Sequence, residues 1–342
     1  MERVDVAIVG GGPAGTSAAW KAAEHGASAL VVEKGVPRAD RDRLGPDSTD
    51  AAGMLDYWVD LMDFAPEDIP DDIILRHLDG ADFVGPSETL KIDTTSIDAS
   101  YPDFGFAFHR ARFDDWLREE ATAAGATYRV GDSVTGVETD LSGDGTRDQT
   151  HTLALSNGDE IEAEYLVLAD GPQRTVTTDV LDQFFPTGRS ITDHLNPRVA
   201  NHIAYQEHRK VPEDIYEKHR LKFWWGYMPG HTAYPWVFPN DGDVARIGLT
   251  MPIGLDIDDF DTSEWKLLRE DDEGIPRGGE YIERLLELVY PEYDIDDFPL
   301  VEDRGKQGGT ETYPISSTRP IESPTAAGVA VVGGAMGGTS AF

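Results

Sequence analysis

The sequence predicts an α/β protein: a Rossmann-type dinucleotide-binding domain joined to a discontinuous second α+β domain built on an antiparallel sheet. Three observations carry this reading. The segment 1–33 runs strand, glycine turn, helix, strand and terminal acid, in the order a dinucleotide-binding unit requires. Between Phe106 and Leu168 a strand, a helix and a hairpin follow one another and end at Ala169-Asp170-Gly171. From Val199 to Met251 the pattern is of short strands with a further hairpin.

Val4–Val9 is an apolar run rich in β-branched residues, as a buried strand requires. It enters Gly10-Gly11-Gly12-Pro13-Ala14-Gly15, which holds the G-x-G-x-x-G spacing. Gly10 permits the tight turn, Gly12 lets the backbone approach a pyrophosphate, and Gly15 lets helix and strand pack closely. Pro13 falls in the first helical turn, where its missing N–H costs nothing. Ala14 opens an Ala-rich helix that runs to His25 and is ended by Gly26. Its unpaired N–H groups and positive dipole end face the phosphates. A second strand, Ala29–Val32, closes on Glu33, followed by Lys34. Glu33 lies 18 residues after Gly15, where its carboxylate accepts the ribose hydroxyls. An acid there disfavours a 2′-phosphate but does not separate NAD from FAD.

Arg38–Asp50 reads as a charged loop, and Thr49–Met62 as an amphipathic helix ended by Pro66 and Pro70. Short alternating stretches from Ile73 to Ile97 read as strands outside the nucleotide core. Phe106–Arg110 is a strand; Phe113, Trp116, Leu117, Ala121 and Ala124 then share one helical face before a capping Gly125. Thr127–Val137 is a strand, and Asn157-Gly158 predicts a type I′ hairpin turn before Glu160–Leu168. Val199–Tyr205 and Lys222–Met228 read as strands, and Ala233–Phe238 with Val244–Met251 as a hairpin. Glu280–Val289 is a short helix. Ala330–Gly333 is a last buried strand entering a glycine-rich run; the helix expected after it is missing, so the C-terminal part reads as incomplete.

Composition narrows the class. A chain of 342 residues forms a substantial core in one or two domains. No run approaches 18 apolar residues, so no transmembrane helix is expected. The N-terminus enters the first strand directly, which leaves no room for a signal peptide and predicts a cytoplasmic protein. With no cysteine, disulfides, iron–sulfur ligation and thiol catalysis by this chain are excluded, and no metal site is read. Asp and Glu total 64 against 29 Lys and Arg, giving a net charge of −35. The acids are dispersed rather than gathered on one docking face. Molar salt shortens the Debye length to about 3 Å and removes such self-repulsion, so a high-salt cytoplasm is expected. Nucleic acid binding is disfavoured on charge alone.

Three further segments resemble the flavoprotein fold shared by p-hydroxybenzoate hydroxylase, electron-transfer flavoprotein dehydrogenases and geranylgeranyl reductases. Arg110-Ala111-Arg112-Phe113-Asp114 matches an R-x-x-F-D motif, and Ala169-Asp170-Gly171 an A-D-G strand end. Val332-Gly333-Gly334-Ala335-Met336-Gly337 resembles V-G-D-A-A-G, with Gly334 where the family places an Asp against the flavin ribityl chain. Tyr234-Pro235-Trp236-Val237-Phe238-Pro239, a turn, and Ile247-Gly248 resemble the geranylgeranyl reductase signature Y-x-W-x-F-P followed by a strand with glycine. Several geranylgeranyl reductases carry a Cys in the loop after the second strand; the segment 41–46 has none.

The resemblance implies an FAD-dependent reductase of isoprenoid C=C bonds in membrane-lipid precursors. It implies an FAD-binding domain of residues 1–72, 105–180 and 318–342, and a substrate-binding domain of residues 73–104 and 181–317. Gly10, Gly12, Pro13, Ala14, Gly15, Glu33 and Lys34 would hold the adenosine diphosphate part. Arg110, Asp170, Gly171 and Gly334 would serve the middle and flavin end. Alternation sends Tyr234, Trp236 and Phe238 to one face, where they would line the substrate. No proton donor is selected; Tyr234 and His109 are the candidates. The implied partners are an isoprenoid or lipid substrate, peripheral contact with a membrane, and a separate electron donor, ferredoxin or reduced nicotinamide. Two other readings stay open: a monooxygenase or quinone-linked dehydrogenase of the same fold, and a truncated chain without activity.

Overall fold

The N-terminal apolar run forms β1 (Glu2–Val9), which leads into α1 (Pro13–Glu24) and returns as β2 (Ala29–Glu33). The computed structural model describes residues 1–37, 53–140, 149–193, 202–305, 308–315 and 321–337. Next come β3 (Gly53–Leu55), α2 (Asp56–Leu61), β4 (Ile74–Leu78), β5 (Gly80–Val84), β6 (Thr89–Ile92) and β7 (Gly105–Phe108). They are followed by α3 (Arg110–Ala123), β8 (Thr127–Val130), β9 (Val134–Asp140), β10 (Thr150–Leu155), β11 (Glu160–Leu168) and α4 (Thr177–Asp182). The chain continues through β12 (His202–Lys210), β13 (Arg220–Trp224), β14 (Tyr234–Pro239), β15 (Val244–Pro252) and α5 (Gly278–Val289). It closes with β16 (Thr310–Ile315), β17 (Thr325–Ala326), β18 (Val329–Val331) and α6 (Gly333–Met336).

Two compact units result. Unit 1 comprises Met1–Arg41, Asp114–His202 and Pro314–Phe342; unit 2 comprises Asp42–Phe113 and Ile203–Tyr313. The boundaries differ from the expected ones: 42–72 and 105–113 belong to unit 2, and 181–202 and 314–317 to unit 1. Strand pairing supplies the reason, because β3, β7 and β4 form one three-stranded sheet.

Unit 1 is built on a sheet ordered β17-β18-β11-β1-β2-β8, with β10 and β9 extending from β11. β1 lies parallel between β11 and β2, with Ile8 beside Val167 and Val31. Ile8 and Val31 are fully buried, as strands covered on both faces require. At the carboxyl ends of these strands, Gly10 N donates to Val32 O, Ala169 N to Val9 O and Val332 N to Leu168 O. The glycine turn, the Asp170 loop and the C-terminal glycine run therefore leave the sheet side by side. Open α/β sheets bind their ligands at this end.

Unit 2 carries a seven-stranded sheet ordered β16-β12-β15-β14-β13-β5-β6. α5 buries Tyr281, Ile282, Leu285 and Leu286 in one core with Val237, Ala245, Ile247 and Leu249 of β14 and β15. Alternation sends Tyr234, Trp236 and Phe238 to the opposite face.

Several sequence expectations change. The helix expected over Thr49–Met62 is the strand β3 followed by the six-residue α2, and Trp58 and Leu61 are 41% and 68% exposed. Pairing with β7 claims Gly53–Leu55 and leaves too few residues for a long amphipathic face. The segment 49–52 lies outside the described residues, as does the 41–46 loop. The Asn157-Gly158 turn is not type I′, because only Gly158 is left-handed (φ 90°). Gly158 N donates to Leu155 O and Leu155 N to Asp159 O, which makes a type I turn with a glycine bulge. The expected C-terminal helix is the single-turn α6, closed by Gly337 at φ 78°. No helix among the described residues is long and apolar enough to cross a membrane.

Candidate functional site

In unit 1 the glycines are spaced by contact rather than by flexibility alone. Gly10 has φ 100°, and a Cβ there would strike the Ala169 carbonyl; a Cβ on Gly15 would strike the carbonyl of Gly10. Gly12 has nothing within 4 Å of its Cβ position, so it offers open backbone at the start of α1, with Pro13 at the first helical position. Glu33 is half-buried and oriented by the turn: Gly11 N donates to Oε2 at 2.7 Å and Gly35 N to Oε1 at 2.6 Å. Lys34 is exposed beside it.

Asp170 meets the same turn, its Cα 3.3 Å from the Gly10 Cβ position. Its carboxylate already accepts from Val176 N at 2.6 Å, Thr177 N at 3.0 Å and the Thr177 hydroxyl. The structure therefore gives Asp170 the task of holding the loop into α4, with the left-handed Gly171 (φ 80°) as its bend. The C-terminal run closes the cluster. A Cβ on Gly333 would come within 2.6 Å of Ala14 Cβ, and one on Gly334 within 3.2 Å of Pro172 Cδ. Gly334, found where an Asp was expected, thus lies against the Asp170 loop.

Sequence reasoning missed Arg174. It is 2% exposed and left-handed (φ 51°), and its Nε donates to Ala335 O at 2.8 Å. One buried cation thereby ties the Asp170 loop to α6. Burial pulls its pKa down while the charge of Asp170 opposes the shift. The available signal was a cation following Gly171-Pro172-Gln173. Arg174 also lines an open cavity of about 610 Å3 with Arg189, Ser190, Asp182 and Asp193.

In unit 2 the aromatic row forms as alternation requires. Register places Tyr234 opposite Thr250, Trp236 opposite Gly248 and Phe238 opposite Arg246. Ring centroids lie 4.3 Å apart for Trp225–Tyr234, 5.5 Å for Phe223–Phe238 and 5.1 Å for Phe83–Phe223. Tyr234 and Trp236 are buried and Phe238 is half-buried. Burial pushes the Tyr234 hydroxyl up to about 12, so it stays protonated at neutral pH.

The same face turns polar toward β12 and β16, where Gln206, Arg246 and Glu311 are buried. Gln206 Nε2 donates to Glu311 Oε2 at 2.8 Å. Tyr313 on β16 is pushed above the usual phenol range by burial first, then by the charges of Glu311 and Tyr234; Arg246 and Arg110 oppose the shift. Arg110 opens α3. His109, the other proton-donor candidate, accepts from Arg112 N at Nδ1 (3.3 Å) and supports the start of that helix. Gly10–Gly15, Glu33, Asp170, Gly171 and Gly334 come together in unit 1, whereas Arg110 and the aromatic row belong to unit 2. No group of three or more His, Asp or Glu side chains among the described residues is placed to hold a metal ion.

The unit 1 cluster fits a dinucleotide: an open glycine at a helix N-terminus for the pyrophosphate and an oriented carboxylate for a ribose. That defines the class, a dinucleotide-binding α/β fold. The family model for the FAD binding domain matches residues 3–237, and the chain belongs to that family, whose cofactor is FAD. It is 27% identical over 255 residues to a digeranylgeranylglycerophospholipid reductase of Thermoplasma volcanium, covering 75% of this chain and 58% of that protein. It is 26% identical over 251 residues to a geranylgeranyl diphosphate reductase of Rhodobacter capsulatus, covering 72% and 54%. The chain thus spans little more than half the length of these curated relatives. Among solved structures, a geranylgeranyl bacteriochlorophyll reductase-like protein of Thermoplasma acidophilum aligns at TM-score 0.68 and 21% identity, covering 98% of this chain and 72% of that one. The p-nitrophenol 4-monooxygenase of Pseudomonas putida aligns at TM-score 0.64 and 15% identity, covering 98% and 74%. These two likenesses show the fold.

Proposed function

We propose that the chain is an FAD-dependent reductase of isoprenoid C=C bonds, acting on geranylgeranyl groups of membrane-lipid precursors. One observation carries this reading within the FAD family: the buried row Tyr234, Trp236 and Phe238 on one face of β14, an apolar wall suited to a long isoprenoid chain. The names of the reductase relatives support it.

When bound, reduced FAD supplies the hydride, which its own chemistry provides. The α1 N–H groups and Gly12 bind the pyrophosphate, with Pro13, Ala14 and Gly10 shaping the turn and Gly15 keeping the helix close. Glu33 binds the ribose, and Lys34 lies beside it. Asp170 and Gly171 hold the loop near the middle of the cofactor, Gly334 lets it approach the last glycine turn, and Arg110 serves the flavin end. Tyr234, Trp236 and Phe238 orient the alkene and exclude water from it. Electrons come from a separate donor, ferredoxin or reduced nicotinamide. The protein works in a high-salt cytoplasm and meets its lipid at the membrane surface.

The test is direct. Protein purified in molar KCl is denatured and the released nucleotide identified. The native protein, reduced with dithionite, is then incubated with digeranylgeranylglycerophospholipid and the lipid is weighed by mass spectrometry. Released FAD and a gain of two hydrogens per reduced bond are expected. Rapid reoxidation by oxygen with a hydroxylated product would instead establish the monooxygenase reading.

A further inference from the structure

The C-terminal glycine turn lies against the unit 1 cluster, and one side chain holds its middle. Val332 N donates to Leu168 O at its start and Ile321 N to Met336 O at its end. Between them, Arg174 Nε donates to Ala335 O at 2.8 Å. The turn packs on two parts of the cluster. A Cβ on Gly333 would stand 2.6 Å from Ala14 Cβ, in the first turn of α1, and one on Gly334 3.2 Å from Pro172 Cδ. Gly333 and Gly334 carry no side chains, so this part of the turn can meet a cofactor only through its backbone. A backbone group has no rotamer with which to recover a misplaced contact. Its use therefore depends on how firmly the turn is held.

Arg174 is suited to that hold. It is 2% exposed and left-handed (φ 51°), a backbone that residues with a Cβ rarely adopt. Its own peptide groups are committed nearby: N donates to Gly171 O at 3.1 Å, and O accepts from Thr178 N at 3.2 Å and Thr178 Oγ1 at 2.9 Å. The side chain is what reaches another segment, and it bridges 161 residues of sequence to Ala335. Glycine would take this conformation without strain, and burying a cation is costly. The charge of Asp170 opposes that cost. Strained backbone of this kind persists where the surrounding structure over-determines it, and it clusters at ligand sites.

We propose that Arg174 is a positioning residue for FAD: it holds the 333–337 turn beside the first turn of α1, so that backbone groups of the turn contact the bound cofactor. Arg174 itself takes no part in that contact. The proposal rests on the FAD site and not on the isoprenoid reading.

FAD is stripped from the full chain in molar KCl and titrated back by flavin fluorescence, while hydrogen exchange over residues 329–337 is followed by mass spectrometry. In the native chain, FAD slows exchange over 329–337. Arg174→Gly relieves the backbone and removes the guanidinium. It weakens FAD binding about tenfold, the loss of one hydrogen-bonded hold, and its 329–337 segment exchanges faster without FAD. Arg174→Met keeps the buried stem and loses the donor, so it answers the same question should Arg174→Gly fold poorly. Arg174→Lys keeps a donor and restores most of the affinity. Affinity is read on folded protein, so a change in stability alone does not enter it. Native affinity in both Arg174→Gly and Arg174→Met overturns the proposal. So does lost affinity with unchanged exchange, since Arg174 would then act elsewhere than through the turn, and so does Arg174→Lys binding no better than Arg174→Gly. A native chain that binds FAD without slowing exchange over 329–337 overturns the proposal and leaves the FAD site standing. A native chain that takes up no FAD overturns that site as well.

Discussion

In unit 1 the two carboxylates beside the glycine turn, Glu33 and Asp170, are held by backbone N–H groups of nearby turns: Glu33 by Gly11 and Gly35, Asp170 by Val176 and Thr177. In the seven-stranded sheet of unit 2, buried Gln206 of β12 is instead held by a side chain of another strand, Glu311 of β16. A backbone donor follows from the path of the chain, so the first arrangement repeats wherever the glycine turn does. A side-chain partner depends on which strand lies alongside, and Gln206 and Glu311 are 105 residues apart. The cofactor cluster is thus a local device and the aromatic face an assembled one.

The largest effect expected from this contrast is at Trp236. Trp236→Ala removes a buried ring packed on Gly248 and costs roughly 3–5 kcal/mol of stability, as for a core aromatic. Denaturant unfolding measures it, and released flavin per folded molecule stays unchanged. Loss of flavin from folded protein would break the separation between the two regions.

Next come two glycines of one turn. Gly10→Ala places a Cβ against Ala169 O at a left-handed backbone; overpacking and strain together cost roughly 2–5 kcal/mol. Gly12→Ala meets nothing within 4 Å. It moves the unfolding free energy by less than about 0.5 kcal/mol yet lowers FAD content, because the proposed pyrophosphate site is the open backbone at Gly12. Equal stability losses in the two variants would show that Gly12 is structural as well.

The third concerns acid. Asp272, nearly buried, is held below its ordinary value of 3.8, first by hydrogen bonds from Arg284. A lowered folded pKa contributes stability that is present above the unfolded value and is lost as pH falls through the folded one. Native protein therefore loses stability below about pH 4, and Asp272→Asn flattens that part of the curve while costing about 1–3 kcal/mol at neutral pH. An unchanged slope in the variant would assign the acid transition to other carboxylates.

The last effect is that of salt: with a net charge of −35, the unfolding midpoint rises from dilute buffer to molar KCl as screening removes self-repulsion. A flat melting temperature would remove the argument for a high-salt setting.

The strand order of β1 and β2, the helix between them to within one residue of its start, and Glu33 at the end of β2 could all be read from residues 1–33. Alternation likewise placed Tyr234, Trp236 and Phe238 on one face before any partner strand was known. Arg174 was not legible, because its function rests on Ala335, 161 residues away. The Asn157-Gly158 turn was located correctly but given the wrong type, since Asn157 keeps a negative φ and the hairpin takes a bulge.

The sequence by itself determined where backbone must turn, which residues alternate inward and where a carboxylate ends a strand, because φ/ψ limits and side-chain periodicity act over a few residues. Tertiary structure alone decided that Asp170 holds a loop, that β3 joins the sheet of β7 and β4, and that Trp236 rests on Gly248 beside Gln206. Those outcomes depend on contacts closed across long loops, whose partners no short window of sequence contains.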